Sequence, residues 1–270
     1  MAPPMARLPA DWSADGATLA GRVVLVTGAN GGLGRATALA CAVAGARVVL
    51  SARKVRPLEQ VYDAIVAAGG PEPAICPLDL ASASPAQHDE LADAVGTAFG
   101  RLDGIVHAAA HFAGLTPLMM EDAEEWLLDL QVNITAPLWL TRACLPLLQA
   151  APDSAVVFVL DHPERTARAH WGGYGVAKGA LQRVLAILHD EHDEGPLRIH
   201  GLLPAPMRTA LRRMAWFGED TMKVPTPEAS AAAAVYLLGA AGATVRGQVL
   251  DLRPPHADAG AGAGPPGASA

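Results

Sequence analysis

Short β-branched runs alternate along the chain with stretches rich in Ala and Leu. The apolar runs cover 23–27, 47–51, 74–78, 104–107, 155–160, 197–203 and 248–252. Each is apolar on both faces, the pattern of strands covered on both sides. Between them, 33–44, 55–68, 85–99, 123–149, 174–189 and 227–239 predict helices. The stretch 123–149 contains Pro137 and Pro146, so a kink or an end is expected near the second. Repeated strand–helix alternation predicts an α/β fold. The expected sheet is doubly wound and parallel, with about seven strands, right-handed crossovers and helices on both faces. Such a sheet takes its ligand at the carboxyl ends of the strands, where the strand order reverses.

The two ends of the sequence differ from its middle. Residues 1–20 have little periodicity and read as an arm, while 254–270 (PPHADAGAGAGPPGASA) is low complexity and reads as a disordered tail. One domain is expected over 21–253. The chain has 270 residues, enough to bury a sizeable core without disulfides or metals. Its 20 Lys and Arg against 27 Asp and Glu give a net charge of −7, which argues against a nucleic-acid partner. The longest apolar stretch, 231–241, is too short to span a bilayer, so no membrane partner is expected. The opening MAPPMARLPADW lacks the apolar core of a signal peptide. Cys41, Cys76 and Cys144 are widely spaced, which excludes a disulfide framework and a cysteine-based zinc site and fits a cytoplasmic location. The histidines and carboxylates form no ligand-spaced cluster, so no metal is expected.

The run RVVLVTG leads directly into Gly28-Ala29-Asn30-Gly31-Gly32-Leu33-Gly34 and then a helical stretch. Gly28 permits a tight turn, Gly32 lets the backbone approach a pyrophosphate, and Gly34 lets helix and strand pack closely. The helix start then offers N–H donors and a positive dipole to phosphates. With the later Tyr174-Gly-Val-Ala-Lys178, this TGxxxGxG spacing resembles the short-chain dehydrogenases/reductases over residues 20–253. The segments RLDGIVHAAA, LQVNITAPLWLTRACLPLL and AHWGGYGVAK are most similar to a bacterial subgroup of poorly characterised cytoplasmic oxidoreductases.

The resemblance implies a single Rossmann domain, a nicotinamide cofactor, a small-molecule substrate and assembly as a homodimer or homotetramer. The helix over 174–189, apolar on more than one face, fits such pairing. A ribose 2′-hydroxyl is usually read by an acid at the end of the second strand. Here Ala52 stands at that place and Arg53 follows, so NADP(H) is expected in preference to NAD(H), with Lys54 or Arg35 assisting. By resemblance, Asp79 with Leu80 lies at the adenine, Ala108 and Ala109 line the cofactor, Pro204 follows the sixth strand, and Thr209 contacts the nicotinamide carboxamide.

Tyr174 and Lys178 lie four apart on a predicted helix and so share a face. A phenol is a poor acid–base catalyst at neutral pH, and a nearby ammonium is expected to pull its pKa down. The resemblance makes Tyr174 the acid/base and gives Lys178 the ribose hydroxyls. It makes Asn133 the holder of a proton-relaying water. The family's substrate-binding serine stands thirteen residues before the tyrosine, and that position here is Asp161. The closest hydroxyl is Thr166. An ionised carboxylate cannot donate a hydrogen bond to a carbonyl, so Asp161 is expected to act protonated, as a buried carboxyl with a raised pKa. Pteridine reductases of the same family are similar here, with Asp, Tyr and Lys at this spacing, and they reduce C=N bonds. Two further departures are His107-Ala108-Ala109-Ala110, where the family has Asn-Asn-Ala-Gly, and Pro204-Ala205, where it has Pro-Gly. The expected function is an NADP-dependent oxidoreductase acting on a small apolar carbonyl or imine, pterin-like substrates included. The alternative is a non-catalytic NADP-binding protein of the same family. The stretch 207–224 is expected to form a lid, with Met207, Leu211, Met214, Trp216 and Phe217 on an apolar pocket and Arg212 and Arg213 facing water, the alternative for the two arginines being an anion.

Overall fold

The computed structural model describes residues 3–254. Eight parallel strands form one sheet: β1 Met5–Ala6, β2 Val23–Thr27, β3 Arg47–Ser51, β4 Ala74–Ile75, β5 Gly104–His107, β6 Ser154–Val159, β7 Leu197–Leu203 and β8 Val249–Asp251. Their spatial order is β1-β8-β7-β6-β5-β2-β3-β4. The helices are α1 Gly32–Val43, α2 Val55–Ala67, α3 Pro85–Phe99, α4 Ala123–Leu130, α5 Ala136–Ala150, α6 Pro163–Thr166, α7 Gly172–Glu191, α8 Ala210–Ala215 and α9 Glu228–Leu238.

Consecutive strand residues point to opposite faces, so each strand feeds two cores. Val24 and Val26 of β2 join a cluster with Ala38 of α1, Leu58 of α2 and Ala234 of α9. Val23 and Leu25 join the other, with Leu91 of α3, Leu140 of α5 and Leu181 of α7. The strand order reverses at β2, which has β3 on one side and β5 on the other. The connections leaving these strands diverge and leave a crevice at their carboxyl ends.

Three elements depart from the expected pattern. The segment expected as an arm supplies β1, an eighth strand paired with β8. Arg7 donates to the carbonyl of Asp251 at 3.0 Å, Leu19 is fully buried, and the Trp12 ring meets Tyr236 edge-on at 5.1 Å. β4 covers only 74–75, yet Cys76 still donates to Leu50 at 2.9 Å and Leu78 to Ala52 at 3.2 Å, while Pro77, between them, turns its missing N–H to the open edge of the sheet. The long helix over 123–149 breaks earlier than expected, in a π turn at Gln131–Thr135, and Pro146 sits inside a helix that continues to Ala150. Pro137 cannot serve the carbonyl four residues back, at Asn133, where the turn widens. Pro146 lies on an exposed side, where water can serve the carbonyl it orphans. Residues 255–270 of the expected tail lie outside the described residues. Among the described residues no helix is long and apolar enough to cross a membrane, and no His, Cys, Asp and Glu cluster could hold a metal.

Candidate active site

A cleft of about 880 Å³ opens at the carboxyl ends of β2, β3, β5 and β6. Its floor is the turn between β2 and α1. Gly28 has φ of 64°, and a Cβ added there would lie 2.8 Å from the Cα of Ala109. Only glycine fits such a left-handed close approach. A Cβ at Gly34 would run into the carbonyl of Gly28, so α1 can start this close to β2 only with glycine there. Thr27 Oγ1 accepts the N–H of Ala109 at 3.2 Å and ties the ends of β2 and β5 together. No side chain caps α1 at Gly31 and no acid lies in its first turn. The turn therefore presents bare backbone donors at a positive helix end, a cradle suited to a phosphate.

The cleft brings together Gly28, Asn30, Gly31, Gly32, Leu33, Arg53, Asp79, Leu80, Ala108, Ala109, Asp161, Tyr174, Lys178, Pro204 and Thr209. Lys54 also lines it, whereas Arg35 is exposed on α1 away from it. Asp79 accepts the N–H of Ala81 at 3.1 Å, which shapes the turn after β4. Thr209 caps α8 through the N–H of Arg212 at 3.2 Å. Gly34 and Asn133 stand behind the wall. Asn133 lies in the π turn, 1% exposed, and donates to the carbonyls of Asp129 and His111, both at 2.9 Å. It also accepts the N–H of His111 at 3.2 Å, so its amide fixes the loop leaving β5.

Tyr174 and Lys178 project from the first turns of α7, both buried. The Tyr174 hydroxyl donates to Asp161 Oδ2 at 2.7 Å. Asp161 Oδ1 accepts the N–H of His162 at 2.6 Å and the guanidinium of Arg165. All three contacts make Asp161 an acceptor, where a protonated donor was expected. The phenol also departs from expectation. Burial, then the charge and hydrogen bond of Asp161, push Tyr174 well above the usual value of 10. Lys178 Nζ donates to the carbonyl of Val159 at 2.9 Å and lies 5.7 Å from the Tyr174 ring centre. Burial pulls its pKa down to about 8.

The far end of the cleft is more ionic than the lid sequence predicts. Met207, Leu211 and Trp216 line it, but Phe217 and Met214 are exposed to solvent and do not. Arg212 does not face water. It pairs with Glu219 at 2.6 Å and stacks on Trp216 at 4.7 Å. Arg165 stacks on the same indole at 4.8 Å and on Trp171 at 5.3 Å. Trp171 is buried against Phe112, Tyr174 and Trp216. His162 lines the cleft, pairs with Glu164 at 2.7 Å and lies 3.0 Å from Arg253. Thr166 donates to the carbonyl of His162 at 3.1 Å and takes no place in the lining. Sequence reading passed over Arg165, Arg253 and His111, all on the cleft. Arg165 carried a legible signal, standing four residues after Asp161 on one side of a turn. Arg253 and His111 carried none, because long-range packing alone brings them here.

Comparison with known proteins fits this geometry. The family model for short chain dehydrogenase matches residues 22–219. The uncharacterized oxidoreductase YciK of Escherichia coli (strain K12) is 33% identical over 233 residues, 86% of this chain and 92% of YciK. A short chain dehydrogenase structure from Pseudomonas syringae is 38% identical with a TM-score of 0.84, covering 89% of this chain and 98% of that one. A short chain dehydrogenase from Escherichia coli CFT073, solved in complex with NADPH, is 33% identical with a TM-score of 0.84, covering 88% and 98%. A glycine turn, a buried Tyr–Lys pair and these relatives converge, and the chain belongs to the short chain dehydrogenase family of oxidoreductases.

Proposed function

We propose that this protein is an NADPH-dependent reductase of a small carbonyl or imine compound, with Tyr174 as proton donor. The observation that carries the reading is the 2.7 Å hydrogen bond between Tyr174 and Asp161 inside the cleft. Arg53 and Lys54, with no carboxylate beside them at the end of β3, suit the 2′-phosphate of NADP(H) better than a free ribose. The bare turn at Gly28–Gly34 would hold the pyrophosphate, with Asp79 and Leu80 beside the adenine and Ala108, Ala109, Pro204 and Thr209 along the nicotinamide half. Bound NADPH supplies the hydride.

This chain's own residues govern the proton. Burial and the Asp161 charge keep Tyr174 as a phenol, so its Oη carries the proton that a reduced C=O or C=N needs. Lys178 would hold the ribose hydroxyls. Asn133 shapes the β5 loop beside it. Asp161, an acceptor in this arrangement, would face a cationic C=N nitrogen favourably and a developing alkoxide unfavourably. An imine, pterin-type compounds included, therefore fits the site better than a simple ketone. A homodimer or homotetramer in the cytoplasm is the accompanying expectation. Leu138 on α5 and Val176 and Ile187 on α7 are exposed apolar side chains available for such pairing.

One observation favours a second reading. The Tyr174 hydroxyl is already engaged by Asp161, an arrangement that would also suit a protein that binds NADPH without turnover. A broad carbonyl and imine screen followed by NADPH absorbance, beside a calorimetric NADPH titration, separates the two. Turnover of an imine supports the reductase. Tight NADPH binding with no turnover on any substrate supports the second reading, and no binding of NADPH removes both.

A further inference from the structure

Two arginines meet over one indole at the end of the cleft beyond Asp161. Arg165 stands on α6 and Arg212 on α8, at the start of the lid segment. Their guanidinium carbons lie 4.8 and 4.7 Å from the centre of the Trp216 ring. All three residues line the cleft. Each guanidinium is held in place by the protein itself. Arg212 gives Nε and Nη2 to the two carboxylate oxygens of Glu219, at 2.6 and 2.7 Å. Arg165 gives Nη2 to Asp161 and also rests its face on Trp171, at 5.3 Å. A guanidinium that spends its face on an indole keeps its in-plane N–H groups for an acceptor. In both residues Nη1 has no hydrogen-bond partner among the described residues and is not sealed in the interior. Nε of Arg165 is sealed and unpartnered, so Nη1 is the donor that this side chain can offer. The third arginine here, Arg253, is already engaged by Asp251 and His162.

We propose that Arg165 and Arg212 form a carboxylate-binding subsite beside Trp216, and that the substrate is a small organic acid whose carboxylate docks there. The choice of substrate rests on the reading of the cleft as a reductase site; the subsite does not. Asp161 is the one carboxylate among the residues lining this end, and Glu219, which orients Arg212, stands outside the lining. The wall offered to a ligand therefore carries more positive than negative groups. A carboxylate matches guanidinium N–H geometry with a single charge, whereas a phosphate would bring up to two charges against Asp161. Position also fixes where the acid group sits in the ligand. Asp161 alone separates Arg165 from the Tyr174 hydroxyl. The carboxylate is thus placed close to the double bond to be reduced, as in an imino acid, with Asp161 facing the nitrogen and the arginines facing the acid. Arg212 comes from the lid and Arg165 from the segment after β6, so a shared carboxylate would also tie the lid down.

Titration calorimetry in low-salt buffer free of phosphate, with and without NADPH, tests this. The probes are acetate, benzoate and pyrrole-2-carboxylate, each beside its uncharged amide. At least one carboxylate should bind about tenfold more tightly than its amide, the scale of a hydrogen bond to a charged group. Arg212→Gln and Arg165→Gln should each erase that preference while the amide stays within about twofold. Arg213→Gln, which changes an exposed neighbour, should keep it. Arg165→Gln also removes a partner of Asp161, so Arg212→Gln decides if that variant fails to fold. No carboxylate preference in the wild type overturns the proposal. So does a preference that survives Arg212→Gln, or phosphate bound more tightly than every carboxylate. Where the screen yields a substrate, Arg212→Gln should raise KM for its acid form more than it lowers kcat. Carboxylate binding without turnover would remove the reductase reading and leave the subsite. Turnover of neutral imines without carboxylate binding would do the reverse.

Discussion

The Tyr174 hydroxyl donates to one oxygen of Asp161 while Arg165 holds the other, so one carboxylate joins the phenol to a guanidinium stacked on Trp171 and Trp216. The position where a donor to substrate was expected accepts three hydrogen bonds here. Arg165 is one of those donors, and the aromatic faces hold Arg165 in place.

Replacing Asp161 separates its two chemical roles. Asp161→Asn keeps the shape and removes the charge, and should lower turnover of the best imine by about 10²–10⁴-fold. Asp161→Ser should gain activity on simple ketones and lose the imine. NADPH oxidation measured on both substrate types checks this, and a serine variant that improves every substrate would mark Asp161 as a disabling change.

Arg53 should decide the cofactor. It lines the cleft at the end of β3 with no acid to compete for it. Calorimetry should find NADPH bound more tightly than NADH, and Arg53→Ala should remove about 1–3 kcal/mol of that preference, the scale of a charged hydrogen bond. Equal affinities in the wild type would contradict it.

Two buried histidines should make the fold acid-sensitive. Burial holds His107 and His200 at about 3, against about 6.5 when exposed. The unfolded chain therefore binds more protons between those values, and stability falls as pH drops from about 6.5 toward 3. Asp129, raised to about 6, acts in the opposite direction between about 4 and 6. With two histidines against one carboxyl, urea midpoints should decline on acidification from pH 7 to pH 5, and His200→Asn should flatten the decline. A midpoint that rises over that range would reverse the balance.

Asn133→Ala should destabilise the protein, because it strips partners from the carbonyls of Asp129 and His111 and from the His111 N–H. Leaving such buried groups unmade costs about 1–3 kcal/mol. Urea unfolding reads the loss directly, and a midpoint equal to wild type would show that the loop reorganises.

Assembly is testable on the α7 face. Light scattering should give a mass at least twice that of one chain, and Val176→Glu with Ile187→Glu should reduce it to one. A wild-type mass near 27.8 kDa at micromolar concentration would leave these side chains without a partner.

The strands at 23–27, 47–51, 104–107 and 197–203 were legible residue for residue, since fully buried parallel strands leave an unbroken apolar run. The glycine turn was legible because close backbone approach admits one residue type. β1 was not, being two residues whose pairing partner lies at the other end of the chain. The direction of the Tyr174 shift was also missed. Spacing showed that Lys178 shares its face, but not that Lys178 turns to the Val159 carbonyl while Asp161 meets the hydroxyl.

The pairing of β1 with β8 also bears on the order in which the protein is made. Arg7 and the carbonyl it holds are 244 residues apart. During synthesis the first strand must wait, unpaired, until almost the whole chain has left the ribosome. Contacts this distant in sequence are among the slowest to form. The edge next to Arg253 and the cleft is thus expected to be among the last parts of the sheet to close. Mature site geometry on the Asp161 side should be among the final events of folding, after the nucleotide-binding half around β2 has already formed.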